Sequence, residues 1–275
     1  MSATSLEPPP AQPADDARAR RADRVRFALR GVGQTLITLG VVALLFVVYE
    51  VWVTNLFADA DNRRQISVLE KHWEQDTVDP LTLPKGGVAT LPVGKGIAIL
   101  YIPRLGRDYT EAIVQGDEVP DDAQLEQGVA HYGSTALPGR RGNFAVAGHR
   151  VGKGEPFLNI DKLRAGDPLI VQTKSDWFVY RVLGAPAGAD PQHARDTATG
   201  LPGREIVSPS DGEVLLPYPN HPGARGPAAL MTLTTCHPKF TATHRMIVFA
   251  RLTSTSAASG SAMPASVAAL YGSGS

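Results

Sequence analysis

From Ile97 to Leu252 the sequence is cut into short runs of Val, Ile, Leu, Thr and aromatic residues, with Gly, Pro, Asp and Asn crowded between them. The runs cover Ile97 to Ile102, Tyr109 to Val114, Asn143 to Ala147, Pro168 to Thr173, Trp177 to Leu183, and Glu205 to Val207 with Val214 to Leu216. A hairpin over Ala229 to Leu252 follows. Pleated strands favour β-branched and aromatic side chains, and the punctuating residues favour turns. No long helical period competes with the pattern. Seven or eight such strands in succession predict an all-β fold, an eight-stranded closed barrel with short helices, because closure removes the edges that an open sheet would expose.

The hairpin carries the chain's single cysteine. Cys236 ends the run Ala229-Leu230-Met231-Thr232-Leu233-Thr234-Thr235, and Arg245 opens the return strand. In an antiparallel pair the end of one strand faces the start of the next. A thiol and a fixed positive charge therefore meet at one rim of the sheet. One cysteine excludes an intrachain disulfide and a multi-cysteine metal site. Charge is balanced, with 27 basic and 27 acidic residues, which excludes a nucleic-acid binder built on a global basic field.

The basic residues are not spread evenly. Arg18, Arg20, Arg21, Arg24, Arg26 and Arg30 crowd just ahead of Gly31 to Tyr49, a run without charge that is rich in Leu, Val and Ile. Extended by Val51 to Val53, the run is long enough at about 1.5 Å per residue to cross a hydrocarbon core of about 30 Å. The arginines on its N-terminal side hold that end in the cytoplasm and send the remainder across the plasma membrane. Ala58-Asp59-Ala60 resembles a signal-peptide cleavage site, but the apolar run exceeds the roughly 7 to 15 residues of a signal core. The expected organisation is a disordered cytoplasmic tail over 1–30 and a transmembrane helix over 31–53. An extracytoplasmic linker over 54–95 follows, with a short helix at Asp61 to Gln75, then the barrel over 96–253 and a flexible tail over 254–275.

A thiol near its usual pKa of about 8.5 is mostly protonated at neutral pH, so a nucleophilic Cys236 needs a basic or cationic partner. Among the 7 histidines, His149 stands out because it closes the strand Asn143 to Gly148 where the chain leaves the sheet. His237 and His244 adjoin Cys236 and Arg245, and neighbouring strand residues point to opposite faces. His131 and Tyr132 lie in a Gly-rich loop ahead of the His149 strand and can line a pocket. Arg150 and Arg251 read as arginines paired with acids at the rim. The segment Ser208 to Pro227 carries Pro209, Pro217, Pro219 and Pro222, and loops of that length are uncommon unless they bind something.

Together these residues resemble the sortases, membrane-anchored cysteine transpeptidases. Thr232-Leu233-Thr234-Thr235-Cys236 with Arg245, and Ala147-Gly148-His149 before them, match the family's signature. Ile99-Leu100-Tyr101-Ile102-Pro103, His131-Tyr132, Ala136-Leu137-Pro138-Gly139 and Cys236-His237-Pro238-Lys239-Phe240 are most similar to class E, the housekeeping type of actinobacteria. Gly133 stands where class E members often carry proline.

The resemblance implies a sortase-type barrel in which Cys236 attacks the Thr-Gly carbonyl of a C-terminal sorting motif on a secreted protein. His149 then serves as acid and base, and Arg245 holds the motif and the oxyanion. An amine of lipid II or of a pilin resolves the thioester. The resemblance also places Tyr132, His131 and Thr235 at the substrate, Tyr132 as the residue preferring Leu-Ala-x-Thr-Gly, with Tyr109 as the alternative. It requires no metal and no cofactor. Asp117, Glu118, Asp121 and Asp122 read as solvated loop charges rather than a calcium site. Competing readings are a class D or pilus-assembling sortase, another exported cysteine transpeptidase, and a membrane-tethered binding domain with a merely structural thiol. An L,D-transpeptidase should carry Arg two residues after its cysteine, where this chain has Pro238.

Overall fold

The structure, a computed structural model, describes residues 13–49, 54–75, 81, 91–152, 154–258 and 262–271. It divides into two compact units, Met1–Trp52 and Val53–Ser275.

The first unit is one helix, α1 (Pro13–Val48). Its part from Arg26 to Val48 is 23 residues long, apolar and exposed along nearly its whole length. That length and composition suffice to cross a membrane. The helix starts ahead of the arginine cluster, which corrects the expectation of a disordered tail for the residues from Pro13 onward. Ala, Arg and Leu are strong helix formers, and Pro13 has the backbone angle of a first helical position. Residues 1–12 and 50–53 lie outside the described residues.

The second unit opens with α2 (Thr54–Gln75), longer than the short helix expected. Its stripe of Ile66, Leu69 and Trp73 faces the rest of the unit, and Leu69 is 5% exposed. A β-carbon on Gly96 would stand 3.4 Å from Leu69 Cδ1. Asn62 hydrogen-bonds to the main chain through both ends of its amide. Its Nδ2 donates to Thr110 O (2.7 Å), and its Oδ1 accepts from Ala112 N (2.9 Å). These contacts replace the expected linker, for residues 54–75, by a packed element. The remainder of the 54–95 expectation falls mostly on residues outside those described.

Nine strands follow among the described residues: β1 (Gly96–Tyr101), β2 (Thr110–Gln115), β3 (Val129–His131), β4 (Gly142–Ala147), β5 (Pro168–Gln172), β6 (Asp176–Val182), β7 (Arg204–Val207), β8 (Ala229–His237) and β9 (His244–Ala257). Their order is β6-β5-β1-β2-β3-β4-β8-β9, and β6 also pairs with β9, so eight strands close a barrel. β7 is the ninth and pairs with β9 alone. Two pairings, β2 with β3 and β4 with β8, are parallel, and the rest are antiparallel. Val214 and Leu215, expected to extend β7, instead form a 3₁₀ turn over Glu213–Leu215.

Alternate residues of each strand fill the barrel, as a side-chain period of two requires. Phe144 and Val146, Leu169 and Val171, Met231 and Leu233, and Met246, Val248 and Ala250 share one cluster inside it. The intervening residues are buried as well. Leu230, Ile247 and Phe249 pack outside against Leu183, Leu201 and Val214. Ile170, Trp177 and Val179 are covered by Val267 from α4 (Ala265–Ala268). The expected flexible tail over 254–275 is thus corrected. β9 continues through Ala257 because β6 pairs with it there, and Val267, 1% exposed, closes an apolar patch.

Candidate active site

Topology brings three distant residues to one rim. β4 and β8 run parallel with Ala147 opposite Thr234, so both chains leave the sheet on the same side, one into His149 and the other at Cys236. β9 returns antiparallel to β8 and sets Arg245 directly opposite Cys236. A cleft of about 410 Å³ is lined by His149, Thr234, Thr235, Cys236, Arg245 and Tyr132. Val119, Pro120 and Leu125 stand on one side, and Pro209, Val214 and Leu215 belong to the wall from the segment after β7. The long proline-bearing segment therefore contributes to the cleft, as its length led us to expect.

Each of these side chains is held by its neighbours. Gly148 N donates to Thr234 O (3.1 Å), and Thr235 Oγ1 donates to Gly148 O (2.7 Å), which pins the residue before His149 on both sides. Phe157 N donates to His149 O (3.0 Å). Cys236 is half-buried and free of any disulfide. The Arg245 Nη1 donates to Ala242 O (3.2 Å) and His244 O (3.1 Å), so the guanidinium is braced against its own turn. The Tyr132 hydroxyl and Thr234 Oγ1 lie 2.9 Å apart. Burial raises the pKa of that phenol, the Thr234 hydrogen bond and the Arg245 charge oppose the rise, and Cys236 adds to it. Tyr132 thus senses both residues of the hairpin.

The wall after β7 is anchored from the outer face of the barrel. Asn143 Nδ2 donates to Val214 O (3.1 Å), and Thr232 Oγ1 donates to Asn143 Oδ1 (2.7 Å). Neither residue was singled out from the sequence. The available signal was a polar side chain within each of two apolar strands, since a buried polar group needs a partner.

Two residues expected at the substrate are not brought to the cleft. His131 is 1% exposed, with Nδ1 3.0 Å from Gln115 Oε1 and Nε2 3.1 Å from Ala136 O and 3.0 Å from Thr135 Oγ1. Burial lowers its pKa to about 4. It supports the loop, since Thr135 Oγ1 also donates to Tyr132 O (2.8 Å). Tyr109 donates from its hydroxyl to Pro156 O (2.6 Å) and borders a separate hollow with Glu111 and Leu105. Thr235 does line the cleft, but its hydroxyl is committed to Gly148 O.

Among the described residues no group of three or more His, Cys, Asp or Glu is placed to hold a metal. Asp121 caps α3 (Asp122–Leu125) through Gln124 N (3.0 Å), and Asp117 accepts from Gln124 Nε2 (3.0 Å). Arg150 and Arg251 are paired with acids, Arg150 with Asp161 at 3.1 Å and Arg251 with Asp196 at 3.8 Å.

A closed barrel that holds a lone thiol, an imidazole and a guanidinium at one rim defines the class of β-barrel cysteine transpeptidases. The chain belongs to the sortase family: the Sortase domain model matches residues 100–253. Its relatives make it a class E member. It is 37% identical to sortase SrtE1 of Streptomyces coelicolor over 86% of this chain, a match spanning 60% of that relative's length. It is 32% identical to sortase SrtE2 of the same organism over 89% of this chain and 90% of the relative. Among solved structures, the SrtF sortase of Corynebacterium diphtheriae superposes with a TM-score of 0.57 at 36% identity, covering 68% of this chain and 98% of that one. Sortase E of Streptomyces avermitilis gives 0.50 at 34% identity, covering 64% and 99%. Sortase E1 of S. coelicolor, described with a tripeptide in its active site, gives 0.50 at 34% identity, covering 63% and 98%.

Proposed function

We propose that the protein is a membrane-anchored transpeptidase that cuts a C-terminal sorting motif of the Leu-Ala-x-Thr-Gly or Leu-Pro-x-Thr-Gly type between Thr and Gly. The observation that carries this reading is the convergence of His149, Cys236 and Arg245 on one cleft. The Cys236 thiolate attacks the threonine carbonyl, the carbon–sulfur bond forms, and the carbon–nitrogen bond to glycine breaks as His149 gives the leaving amine a proton. An incoming amine, from a cell-wall precursor or a pilin, then loses a proton to His149 and attacks the thioester. The thiolate leaves and an amide results. Arg245 offers N–H groups beyond the one braced against its turn to the oxyanion formed at each attack. Tyr132 shapes the subsite for the residue after leucine.

The tripeptide recorded in the S. coelicolor enzyme's active site supports a peptide ligand for this cleft. The apolar stretch Arg26–Val48 supports the anchor, and the arginines ahead of it favour a cytoplasmic N-terminus with the barrel outside.

The test is turnover of fluorogenic peptides carrying each motif by the full chain in detergent, with and without an added amine. Cleavage between Thr and Gly, transfer to the amine, preference for the alanine-containing peptide and silence of Cys236→Ala are expected. Equal turnover by Cys236→Ala would refute the mechanism. A preference for proline would refute only the subsite assignment.

A further inference from the structure

Beyond the last paired residues of β4 and β8, the two chains that carry His149 and Cys236 part company. A side chain bridges them again. Arg150, the residue after His149, is 4% exposed and turns its guanidinium behind the other strand's end. Its Nη1 lies 3.5 Å from Cys236 O, 2.9 Å from His237 Nδ1 and 3.6 Å from Met246 Sδ. Its Nη2 lies 3.1 Å from Asp161 Oδ1.

We infer that Arg150 is a positioning residue, a brace that fixes the separation between His149 and Cys236 by tying the chain after the imidazole to the main chain of the thiol. This rests on the catalytic roles proposed above for those two residues.

Three observations support the brace. First, the fork is used on two sides at once, one nitrogen toward the Cys236–His237 chain and the other toward Asp161. Asp161 is itself held, because Arg204 Nη1 donates to its carbonyl (2.7 Å) while Arg204 Nη2 meets Asp190 (2.7 Å). The contacts run unbroken from the start of β7 to the nucleophile. Second, His237 receives the Arg150 donor on Nδ1, which needs that nitrogen unprotonated. Burial, then the Arg150 charge, lower the His237 pKa in the same sense. Third, the pair joins the buried Arg150 guanidinium to a solvent-exposed Asp161 carboxylate, and solvent screening leaves such a pair little net stability. Its consequence here is geometry. Transfer between an acid–base group and a nucleophile is sensitive to placement, and an error of about 1 Å costs about 100-fold in rate.

The experiment compares the full chain in detergent with Arg150→Met, Arg150→Lys and Cys236→Ala. Turnover of the sorting-motif peptide is expressed per thiol titrated with iodoacetamide, and each variant's melting temperature is recorded. Arg150→Met, of similar length but unable to donate, is expected to lose about 100-fold in kcat with KM within about threefold of the parent. Arg150→Lys is expected to lose about tenfold, because one ammonium cannot span Asp161 and the Cys236–His237 chain together. Should Arg150→Met not fold, the Lys variant decides. A folded variant whose kcat per titrated thiol stays within about fivefold of the parent overturns the inference, whatever its melting temperature, since a residue needed only for folding would leave that ratio alone. Residual turnover by Cys236→Ala removes the reading beneath it. An inactive Cys236→Ala beside fully active Arg150 variants removes the brace alone.

Discussion

Replacing Gly148 by alanine adds one methyl group between the barrel wall and the core, at the residue that precedes His149. An added β-carbon would lie 2.7 Å from Phe157 Cδ2, 2.9 Å from Cε2 and 3.1 Å from Cγ. The glycine is not in the left-handed region, so an alanine meets no backbone strain and the clash alone acts. The main chain cannot step aside, because Gly148 N is bound to Thr234 O and Gly148 O to Thr235 Oγ1. Phe157 is 0% exposed and cannot swing out. Overpacking of this kind costs about 1–3 kcal/mol. Phe157→Leu alone costs about 1–2 kcal/mol by leaving a cavity. In the double variant the methyl fills part of that cavity, so the two losses should fall short of their sum by about 1–2 kcal/mol. Urea unfolding of the four proteins measures this coupling, and peptide turnover shows whether His149 moved, with a loss of about tenfold expected in Gly148→Ala and partial recovery in the pair. Losses that add to within about 0.5 kcal/mol would refute the close contact.

Acid should destabilise the fold through His131, whose imidazole stays neutral down to about pH 4 in the native state while the unfolded chain binds its proton near 6.5. The unfolded state then holds more protons between those values, so stability falls as pH drops from 6.5 to 4, by about 3 kcal/mol, and levels off below. Urea midpoints measured across that range should decline less in His131→Asn, and parallel slopes would contradict the assignment. Asn62→Ala should cost about 2 kcal/mol by stranding Thr110 O and Ala112 N. Hydrogen exchange at the Ala112 amide is the direct check, and unchanged protection would show that the amide bridge does not hold β2.

Most of the barrel is legible in the sequence because the long strands are dense in β-branched, aliphatic and aromatic residues and are separated by Gly, Pro, Asp and Asn. β3 was missed for a physical reason: three residues carry too little alternation to stand out, and Val129 to His131 become a strand by adding to β2 in parallel. The same residues explain an error at the site. His131 and Tyr132 are adjacent, and neighbours in extended chain face opposite ways, so the tyrosine lines the cleft while the histidine is buried under it. Cys236 and Arg245 were readable because a hairpin has local register, whereas His149 reaches the same rim through a parallel pairing of strands far apart in sequence. The sequence shows α2 only from Asp61, where the stripe of Ile66, Leu69 and Trp73 begins, because the turns ahead of it carry no such stripe; the tail's packing is hidden by an Ala- and Ser-rich composition in which Met263, Val267, Leu270 and Tyr271 are spread thinly.

β9 has 14 residues, and three partners share its two edges. β8 takes one edge, while the other is divided between β7 from Arg245 to Val248 and β6 from Ala250 to Ala257. One late segment of the chain therefore delivers the guanidinium, seals the ring and seats the ninth strand. During synthesis everything from β1 to the thiol emerges first, yet that thiol has no finished surroundings until Ala257 has left the ribosome. The cleft around Cys236 therefore stays incomplete in every chain that stops short of Ile247.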